Sequence, residues 1–368
     1  MAAVKTINTD TLRTWLSESK PVSILDIRPA SERAEWQIPN SIHINAYDKL
    51  KQNDTTVFNQ LYLDKNIPVV AYCGGGKLSL TAAALLSDAG YDAWSLEDGM
   101  KGWSLAWNTA SIKLPKIEII QFRRTGKGCL SYMILSAGKA MVVDPSLDPS
   151  VYEEFLLQQK VELLFVAETH IHADHISRAK QLAEKLHAPL FLPAANKVNF
   201  SFEPITSTTG FQLGAIKINV IQTPGHTNES ISLLVDDKLV LTGDTLFTNG
   251  IGRPDLKSTE AETLQKAKSL YHSLQKLLML DDSIIVLPSH TNKPVDFDGK
   301  PIQSTIGDSK NNLPVLSLSE TDFVQNILEK IPATPANYLS ISELNLSGNL
   351  DAINPVDLEA GPNRCAIS

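Results

Sequence analysis

The feature that most constrains this chain is a set of histidines and aspartates that follow predicted strands. The stretch Thr-His-Ile-His-Ala-Asp-His at 169–175 comes directly after an apolar run, and His226, Asp244 and His290 each come just past another one. Five of the eight histidines of the chain belong to this set. Strand ends that share one edge of a sheet bring distant loops together. Imidazole and carboxylate groups are ligands for borderline divalent metals. The pattern therefore predicts a β-sheet protein with a metal site at one sheet edge.

A second candidate site surrounds Cys73, which ends the apolar run 67–73 shortly before a predicted helix over 78–90. Between the cysteine and the body of the helix lie Gly74, Gly75, Gly76 and Lys77, followed by Ser79. Three glycines let backbone N–H groups turn inward, and a helix N-terminus and a lysine add positive charge. Such a cradle binds an anion and stabilises a thiolate, which can carry a persulfide. The alternative is a structural cysteine in a glycine-rich turn.

The order of predicted elements indicates two α/β domains, in keeping with a length of 368 residues. Strands at 22–27, 67–73 and 92–97 are separated by helices, which favours parallel βαβ units. We predict a first domain over 1–108, a linker over 109–116 and a metal domain with a C-terminal extension over 117–368. The last 35 or so residues are predicted to form loops.

Charge and cysteine content narrow the classes of partner and compartment. The net charge of −8 argues against nucleic acid or an anionic membrane surface as the main partner. No apolar run reaches the roughly 20 residues of a membrane span, and the first residues have no secretory apolar region. Three scattered cysteines make a disulfide framework improbable. We expect a cytoplasmic protein, and a homo-oligomer such as a dimer.

The first domain resembles single-domain rhodaneses. The matching stretches are LDIRPASERAEWQIPNSIHI (25–44), YCGGGKLS (72–79) and AAALLSDAGYDAWSLEDGMKGW (82–103). This resemblance implies a parallel sheet with helices on both faces. It also implies sulfane sulfur transfer through a persulfide on Cys73, with thiosulfate or glutathione persulfide as the donor.

The second domain resembles the metallo-β-lactamase superfamily over about residues 115–300, on its HxHxDH motif followed by His, Asp and His. The resemblance implies an α/β/β/α sandwich with metal at the sheet edge. Two assignments of the ligands remain open. In a dinuclear zinc site, one metal takes His170, His172 and His226, the other takes Asp174, His175 and His290, and Asp244 bridges them. In a mononuclear site, His170, His226 and Asp244 hold one Fe(II), and the other four residues surround it.

Residues 245–256, TLFTNGIGRPDL, look like the Gly-x-Gly-Arg-Thr-Asp-Phe stretch of persulfide dioxygenases, and PNRC at 362–365 resembles the end of that group. The resemblance implies one Fe(II) per chain and oxidation of glutathione persulfide by O₂ to sulfite and glutathione. The last motif reads His290-Thr291-Asn292 where those enzymes have His-Asp-Tyr.

Alternative functions are a dinuclear zinc thioester hydrolase of the glyoxalase II type and a sulfur carrier or sensor with a vestigial metal site. Arg253 is predicted either to hold a carboxylate of glutathione or to pair with Asp255. Cys129 is expected to pack in the core. Cys365 could reach the active site, but the expectation for it is a surface thiol.

Overall fold

The computed structural model describes residues 4–193, 198–334, 337–350, 353–361 and 364–367. Its N-terminal sheet contains five parallel strands in the order β1-β5-β4-β2-β3. The strands are β1 (Lys5–Ile7), β2 (Ser23–Asp26), β3 (Ile42–His43), β4 (Val69–Tyr72) and β5 (Ala93–Leu96). The helices between and after them are α1 (Thr9–Ser17), α2 (Ala30–Glu35), α3 (Tyr47–Lys51), α4 (Lys77–Asp88) and α5 (Gly99–Trp103).

Successive side chains of β4 point to opposite faces of the sheet, and this explains why helices cover both faces. Val69 and Ala71 pack in one buried apolar cluster with Leu86 of α4, whereas Val70 packs in a second cluster with Leu12 of α1. Successive side chains of a strand point to opposite faces, so an all-apolar strand requires a cover on each side. The predicted parallel α/β unit is confirmed.

A seven-stranded mixed sheet follows, in the order β12-β11-β10-β9-β8-β7-β6. Its strands are β6 (Asn108–Leu114), β7 (Ile117–Arg123), β8 (Leu130–Ser136), β9 (Lys139–Val143), β10 (Glu162–Ala167), β11 (Leu190–Pro193) and β12 (Glu203–Ile205). The strands from β6 to β9 pair antiparallel, and those from β9 to β12 pair parallel. The helices α6 (Pro149–Gln159) and α7 (Ala179–Leu186) pack on one face.

The linker predicted over 109–116 is wrong, because β6 occupies most of it. β6 pairs with β7 along its whole length, from Asn108 opposite Arg123 to Leu114 opposite Ile117. Ala110 and Ile112 are buried, whereas Ser111 is exposed. The segment therefore has the period of two of a half-buried strand, but its only large apolar inward residues, Ile112 and Leu114, come at its end. The boundary between the two domains stays a prediction.

A second large sheet faces the first, in the order β13-β14-β15-β16-β19-β20, beside a small sheet in the order β17-β18-β21. The strands are β13 (Gly210–Leu213), β14 (Ile216–Gln222), β15 (Ile231–Val235), β16 (Leu239–Gly243), β17 (Leu246–Phe247), β18 (Gly250–Gly252), β19 (Ile285–Pro288), β20 (Ser304–Thr305) and β21 (Ala366–Ile367). The helices are α8 (Glu260–Leu278), α9 (Ile306–Asn312), α10 (Glu320–Glu329), α11 (Tyr338–Ser347) and α12 (Pro355–Glu359), with a 3₁₀ turn at Pro314–Ser317.

The two large sheets bury a common apolar core, to which Ile119 and Ile134 contribute from one sheet and Ile218 and Leu233 from the other. Separate clusters lie beneath α6 and α7 and beneath α8 and α10. This layering confirms the predicted α/β/β/α sandwich. No helix in the described part of the chain is long and apolar enough to cross a membrane.

The prediction that the C-terminal residues form loops is wrong. They contain α11 and α12, and β21 pairs antiparallel with β18, with Ile367 opposite Ile251. Pro362 and Asn363 of the PNRC stretch lie outside the described residues. The C-terminal segment therefore returns to the edge of the sandwich at which the predicted metal ligands lie.

Candidate metal centre and cysteine loop

Three strand ends bring His170, His226 and Asp244 together. Their ligand atoms all lie within 4.8 Å of one another, and all three side chains are buried. The Nε2 atoms of His170 and His226 lie 3.8 Å and 3.5 Å from Oδ2 of Asp244. The loops after β10, β14 and β16 supply these residues. The three side chains form two imidazoles and one carboxylate facing a common point.

Hydrogen bonds fix which nitrogen of each imidazole faces that point. Nδ1 of His226 lies 2.8 Å from the carbonyl oxygen of Arg253, so Nδ1 must carry the proton and donate it. Nδ1 of His170 lies 3.0 Å from Oγ1 of Thr169, whose hydroxyl proton is donated to Asp144. Nδ1 of His170 is therefore also the donor. Both Nε2 atoms keep a free lone pair directed at Asp244.

The charge states suit metal binding. Burial lowers the pKa of His170 and of His226, so both imidazoles are neutral near pH 7. Burial by itself disfavours the carboxylate of Asp244, but the facing His290 outweighs this effect and lowers the pKa of Asp244. The trio therefore presents two neutral nitrogens and one anionic oxygen.

A second cluster lies beside the trio and contains Asp174, His175, His290 and Cys129. His290 joins the two clusters, with Nδ1 2.6 Å from Oδ1 of Asp244 and Nε2 2.6 Å from Oδ2 of Asp174. Nδ1 of His175 lies 3.1 Å from Oδ1 of Asp174. Although burial opposes the charged form, Asp174 raises the pKa of His175 to about 9 and that of His290 well above its usual value.

Cys129 packs in the core as expected, but it also touches this cluster. It forms an antiparallel β-bridge with His290, and Sγ lies 3.5 Å from Oδ2 of Asp174. Burial raises the pKa of a thiol, but here the neighbouring His175 outweighs burial and lowers the pKa of Cys129 to about 7.

One ring nitrogen of His172, Nε2, contacts carboxylates outside the trio. Its Nε2 lies 2.9 Å from Oε2 of Glu168 and 3.3 Å from Oδ1 of Asp144. Although burial lowers the pKa of His172, Glu168 and Asp144 raise it well above the usual value. Glu168 was missed in the sequence, because nothing in its local pattern distinguishes it from an exposed acid at a strand end.

Several buried polar atoms of the two clusters have no hydrogen-bond partner among the described residues. They are His170 Nε2, His172 Nδ1, His175 Nε2 and Asp244 Oδ2. Unpartnered buried nitrogen and oxygen atoms are costly unless they bind an ion or water. All four are donor types that divalent iron and zinc accept. The residues present therefore fit a metal centre, with one ion at the trio or with a second ion beside it.

The expectation that Cys365 is a surface thiol is wrong. Its side chain is 1% exposed, and its sulfur lies within 4.8 Å of ligand atoms of Asp244 and His290. The backbone N–H of Arg253 donates to the Cys365 carbonyl at 3.0 Å, next to the pairing of β21 with β18. A strand of two residues carries too little periodicity to be found in sequence.

Arg253 pairs with Asp255, which was one of the two roles predicted for it. Its Nε and Nη2 lie 2.8 Å and 2.7 Å from the two oxygens of Asp255. The remaining guanidinium protons are donated to the backbone carbonyls of Pro332, Ala333 and Arg364. All five donors are used and the side chain is fully buried. The alternative role, holding a carboxylate of glutathione, is left without a donor.

The cysteine loop lies at the end of β4. Gly76 has φ of +82°, and a Cβ there would lie 2.8 Å from the backbone nitrogen of Asp98, so the turn into α4 requires glycine. Sγ of Cys73 lies 3.6 Å from Oγ of Ser79. Lys77 is the exposed first residue of α4.

Space is open next to the cysteine. A Cβ on Gly75 would meet nothing within 4 Å, and one on Gly74 would meet only Oε2 of Glu32, at 3.7 Å. Glu32 was missed in the sequence, where it is one of several acids of a polar helix. The roles predicted for Cys73 and its loop stay predictions.

Comparison with known proteins agrees with this architecture. Residues 8–106 match the rhodanese-like domain model, and residues 124–290 match the metallo-beta-lactamase superfamily model. A hydroxyacylglutathione hydrolase of Francisella tularensis is 30% identical over 164 residues, which are 43% of this chain and 61% of the relative. The chain thus spans about three fifths of the length of this relative.

Two solved structures share the fold. A metallo-beta-lactamase from Staphylococcus aureus is 28% identical, with a TM-score of 0.58 over 65% of this chain and 74% of that one. ETHE1 from Myxococcus xanthus is 24% identical, with a TM-score of 0.53 over 66% of this chain and 99% of that one, and shows the fold alone. The chain therefore carries a rhodanese-like domain followed by a domain of the metallo-beta-lactamase superfamily.

Proposed function

We propose that the metal domain is an Fe(II)-dependent dioxygenase that acts on glutathione persulfide. The reaction consumes one persulfide, one O₂ and one water, and yields glutathione and sulfite. We propose further that the rhodanese-like domain moves sulfane sulfur through a persulfide on Cys73. The observation that carries the proposal is the compact trio of His170, His226 and Asp244.

The trio differs from its neighbours in a way that favours a single iron. His170 and His226 are the two histidines of the centre with lowered pKa values, and both have Nδ1 held as a donor. Two histidines and one carboxylate on one face are typical of non-haem Fe(II) oxygenases. A bound Fe(II) would supply open positions for the persulfide sulfur and O₂.

The surrounding residues orient and charge the trio. Thr169 and the carbonyl of Arg253 hold the two imidazoles through Nδ1. His290 holds one oxygen of Asp244 and leaves the other, Oδ2, facing the imidazoles. Such outer contacts fix the rotamer and basicity of metal ligands. We assign His172, Asp174, His175 and His290 to this supporting role.

The fusion of the two domains supports the same chemistry. A sulfurtransferase produces or consumes persulfide sulfur, and a persulfide dioxygenase consumes persulfide and releases sulfite. Sulfite can in turn accept sulfur to give thiosulfate. The product of one site is thus a substrate for the other.

A dinuclear zinc thioester hydrolase is the second candidate, on two specific observations. Nε2 of His175 is buried without a hydrogen-bond partner in the described structure, as expected for a ligand of a second metal. The similarity to hydroxyacylglutathione hydrolases favours the same activity. A sulfur carrier with a vestigial metal site is disfavoured, because every predicted ligand is present and buried.

One preparation distinguishes these functions. The full chain is stripped of metal and loaded with Fe(II) or with Zn(II). O₂ uptake and sulfite release are followed with glutathione persulfide, and thioester cleavage with S-lactoylglutathione. The proposal expects O₂ uptake and sulfite with Fe(II) only. Thioester cleavage with zinc and no O₂ uptake with iron contradicts it.

Variants connect the activity to the trio. His226→Gln is expected to lose bound iron and O₂ uptake together. His272→Gln is the matched control, because that histidine is 61% exposed in its side chain and lies outside both clusters. Equal O₂ uptake in the two variants contradicts the assignment of the trio.

A further inference from the structure

A groove leads from the metal trio to the start of α8. Its volume is about 520 Å³, within the range of ligand sites in proteins. His226 and Ile171 line it beside the trio, and Lys257 and Lys266 also belong to its lining. A substrate whose reacting atom lies at the trio would extend along this groove towards the two lysines.

Lys266 is a buried cation that makes no close ion pair with any described residue. Its side chain belongs to a residue that is 7% exposed, and Nζ donates to the Leu256 carbonyl at 3.2 Å and to Oγ of Ser258 at 3.1 Å. In the part of the chain that the structure describes, no carboxylate lies within 4 Å of Nζ. An ammonium group has three protons, so one is left for a further acceptor. Burial lowers the pKa of Lys266, and the more distant carboxylates of Glu229, Asp255 and Glu262 oppose this effect without cancelling it.

Other deeply buried cations of this protein do have an anion. The pairs are Arg28 with Asp26, Arg124 with Glu359 and Arg253 with Asp255. A buried charge is costly unless it is paired, so an unpaired one beside an open groove indicates an anionic ligand.

Lys257 adds a second positive charge to the same groove. It is exposed, has φ of +56° and donates from Nζ to Oγ of Ser342 at 2.9 Å. A left-handed conformation is uncommon for lysine and is maintained only where the surroundings demand it. Glu229 also lines the groove, and its Oε1 accepts from the N–H of Ile171. Glu262 lines the groove as well, so it offers two cations and two acids, which complements a peptide carrying both carboxylates and an ammonium group.

We propose that Lys266, assisted by Lys257, binds a carboxylate of the glutathione part of the substrate. The assignment rests on the proposed function for the identity of the substrate, and it replaces Arg253, whose five donors are used within the protein. These lysines are specificity residues, because they contact the part of the substrate that does not react.

Binding of an unreactive analogue tests the assignment. S-methylglutathione is titrated into the metal-loaded full chain by calorimetry. Lys266→Met removes the charge and keeps the length of the side chain. It is expected to weaken binding about tenfold or more, the scale of one hydrogen bond to a charged group. Lys257→Gln is expected to weaken binding by a smaller factor. The matched control is Lys268→Met, an exposed lysine of α8 outside the groove, which should bind like the wild type.

Two amides of the analogue test the same assignment by changing the ligand instead of the protein. One blocks the glycyl carboxylate and the other blocks the α-carboxylate of the γ-glutamyl residue. At least one amide is expected to bind the wild-type protein about tenfold more weakly than the acid. This deficit should disappear in Lys266→Met. Equal binding of the acid and both amides overturns the assignment, as does unchanged binding in Lys266→Met.

The binding test of the two lysines and the activity test of the proposed dioxygenase can fail independently. Loss of discrimination between acid and amide, with O₂ uptake present, overturns only the role of the lysines. Discrimination that depends on Lys266, with no O₂ uptake, supports the lysines and contradicts the dioxygenase.

Discussion

Replacing Arg253 by methionine is expected to destabilise the metal domain without removing a substrate contact. The guanidinium makes two hydrogen bonds to Asp255 and three to backbone carbonyls of the C-terminal part of the chain. Methionine fills much of the same space and donates none of them. The variant therefore leaves a carboxylate and three carbonyl groups without their donor.

The size of the effect follows from burial. Breaking a buried charge pair by removing one partner costs about 3–5 kcal/mol of the free energy of unfolding. The side chain of Asp255 keeps 18% of its surface exposed and can regain water, which favours the lower part of that range. A change of 1 kcal/mol shifts Tm by roughly 2–4 °C in a domain of this size, so Tm should fall by about 6–20 °C.

Differential scanning calorimetry of the metal-free protein measures this shift, and steady-state kinetics measures KM for glutathione persulfide. Arg364→Met is the control, because the Arg364 side chain pairs with Glu35 at 3.4 Å on the surface, and such pairs contribute about 0–1 kcal/mol. If Arg253→Met has a Tm within 2 °C of the wild type together with a large rise in KM, the structural role of Arg253 is refuted. That result would mean that Arg253 binds the substrate after all.

Three further changes give separate outcomes. Cys73→Ser should abolish sulfur transfer from thiosulfate and leave O₂ uptake unchanged, and loss of both activities contradicts two independent sites. Gly252→Ala would place a methyl group 1.9 Å from the Asp244 carbonyl oxygen, so the iron content should fall sharply. Gly210→Ala, where the nearest contact of the new methyl group lies at 4.0 Å, should keep the iron. Full iron content in both variants contradicts the geometry. Burial alone would raise the pKa of Asp26, but its pairing with Arg28 outweighs burial and lowers it. The stability that Asp26 contributes is therefore present above the ordinary value of 3.8 and is lost as the pH falls through the lower folded pKa. Urea midpoints of the N-terminal domain at about pH 6 and about pH 3 should differ less in Asp26→Asn than in the wild type, and an equal difference would contradict this pairing.

The sequence predicted the elements whose periodicity is strong and local. The apolar spacing over 259–280 predicts a long amphipathic helix, and α8 begins there at Glu260 behind a Thr259 capping box. β4 and β10 are apolar throughout or nearly so, and both were predicted. The metal ligands could be found because each follows such a strand, and strand ends of one sheet edge are close in space.

The missed features depend on contacts between distant parts of the chain. β6 shows a weak pattern and gains its hydrogen bonds from β7. Cys365 reaches the centre only because β21 pairs with β18. In the sequence, Lys266 is one of several charged positions of a helix, and only the folded chain reveals that it is buried. Within the described ranges, no carboxylate lies within 4 Å of its Nζ.

The central claim is that His170, His226 and Asp244 hold a single iron that serves reaction with O₂. Anaerobic titration of the metal-free full chain with Fe(II) tests it most directly. After each addition an aliquot is moved to oxygenated buffer with glutathione persulfide, and its O₂ consumption is measured. We predict saturation at one Fe(II) per chain and consumption of one O₂ per glutathione persulfide at that point. Saturation at two metal ions per chain, with thioester cleavage and no O₂ consumption, would contradict the claim.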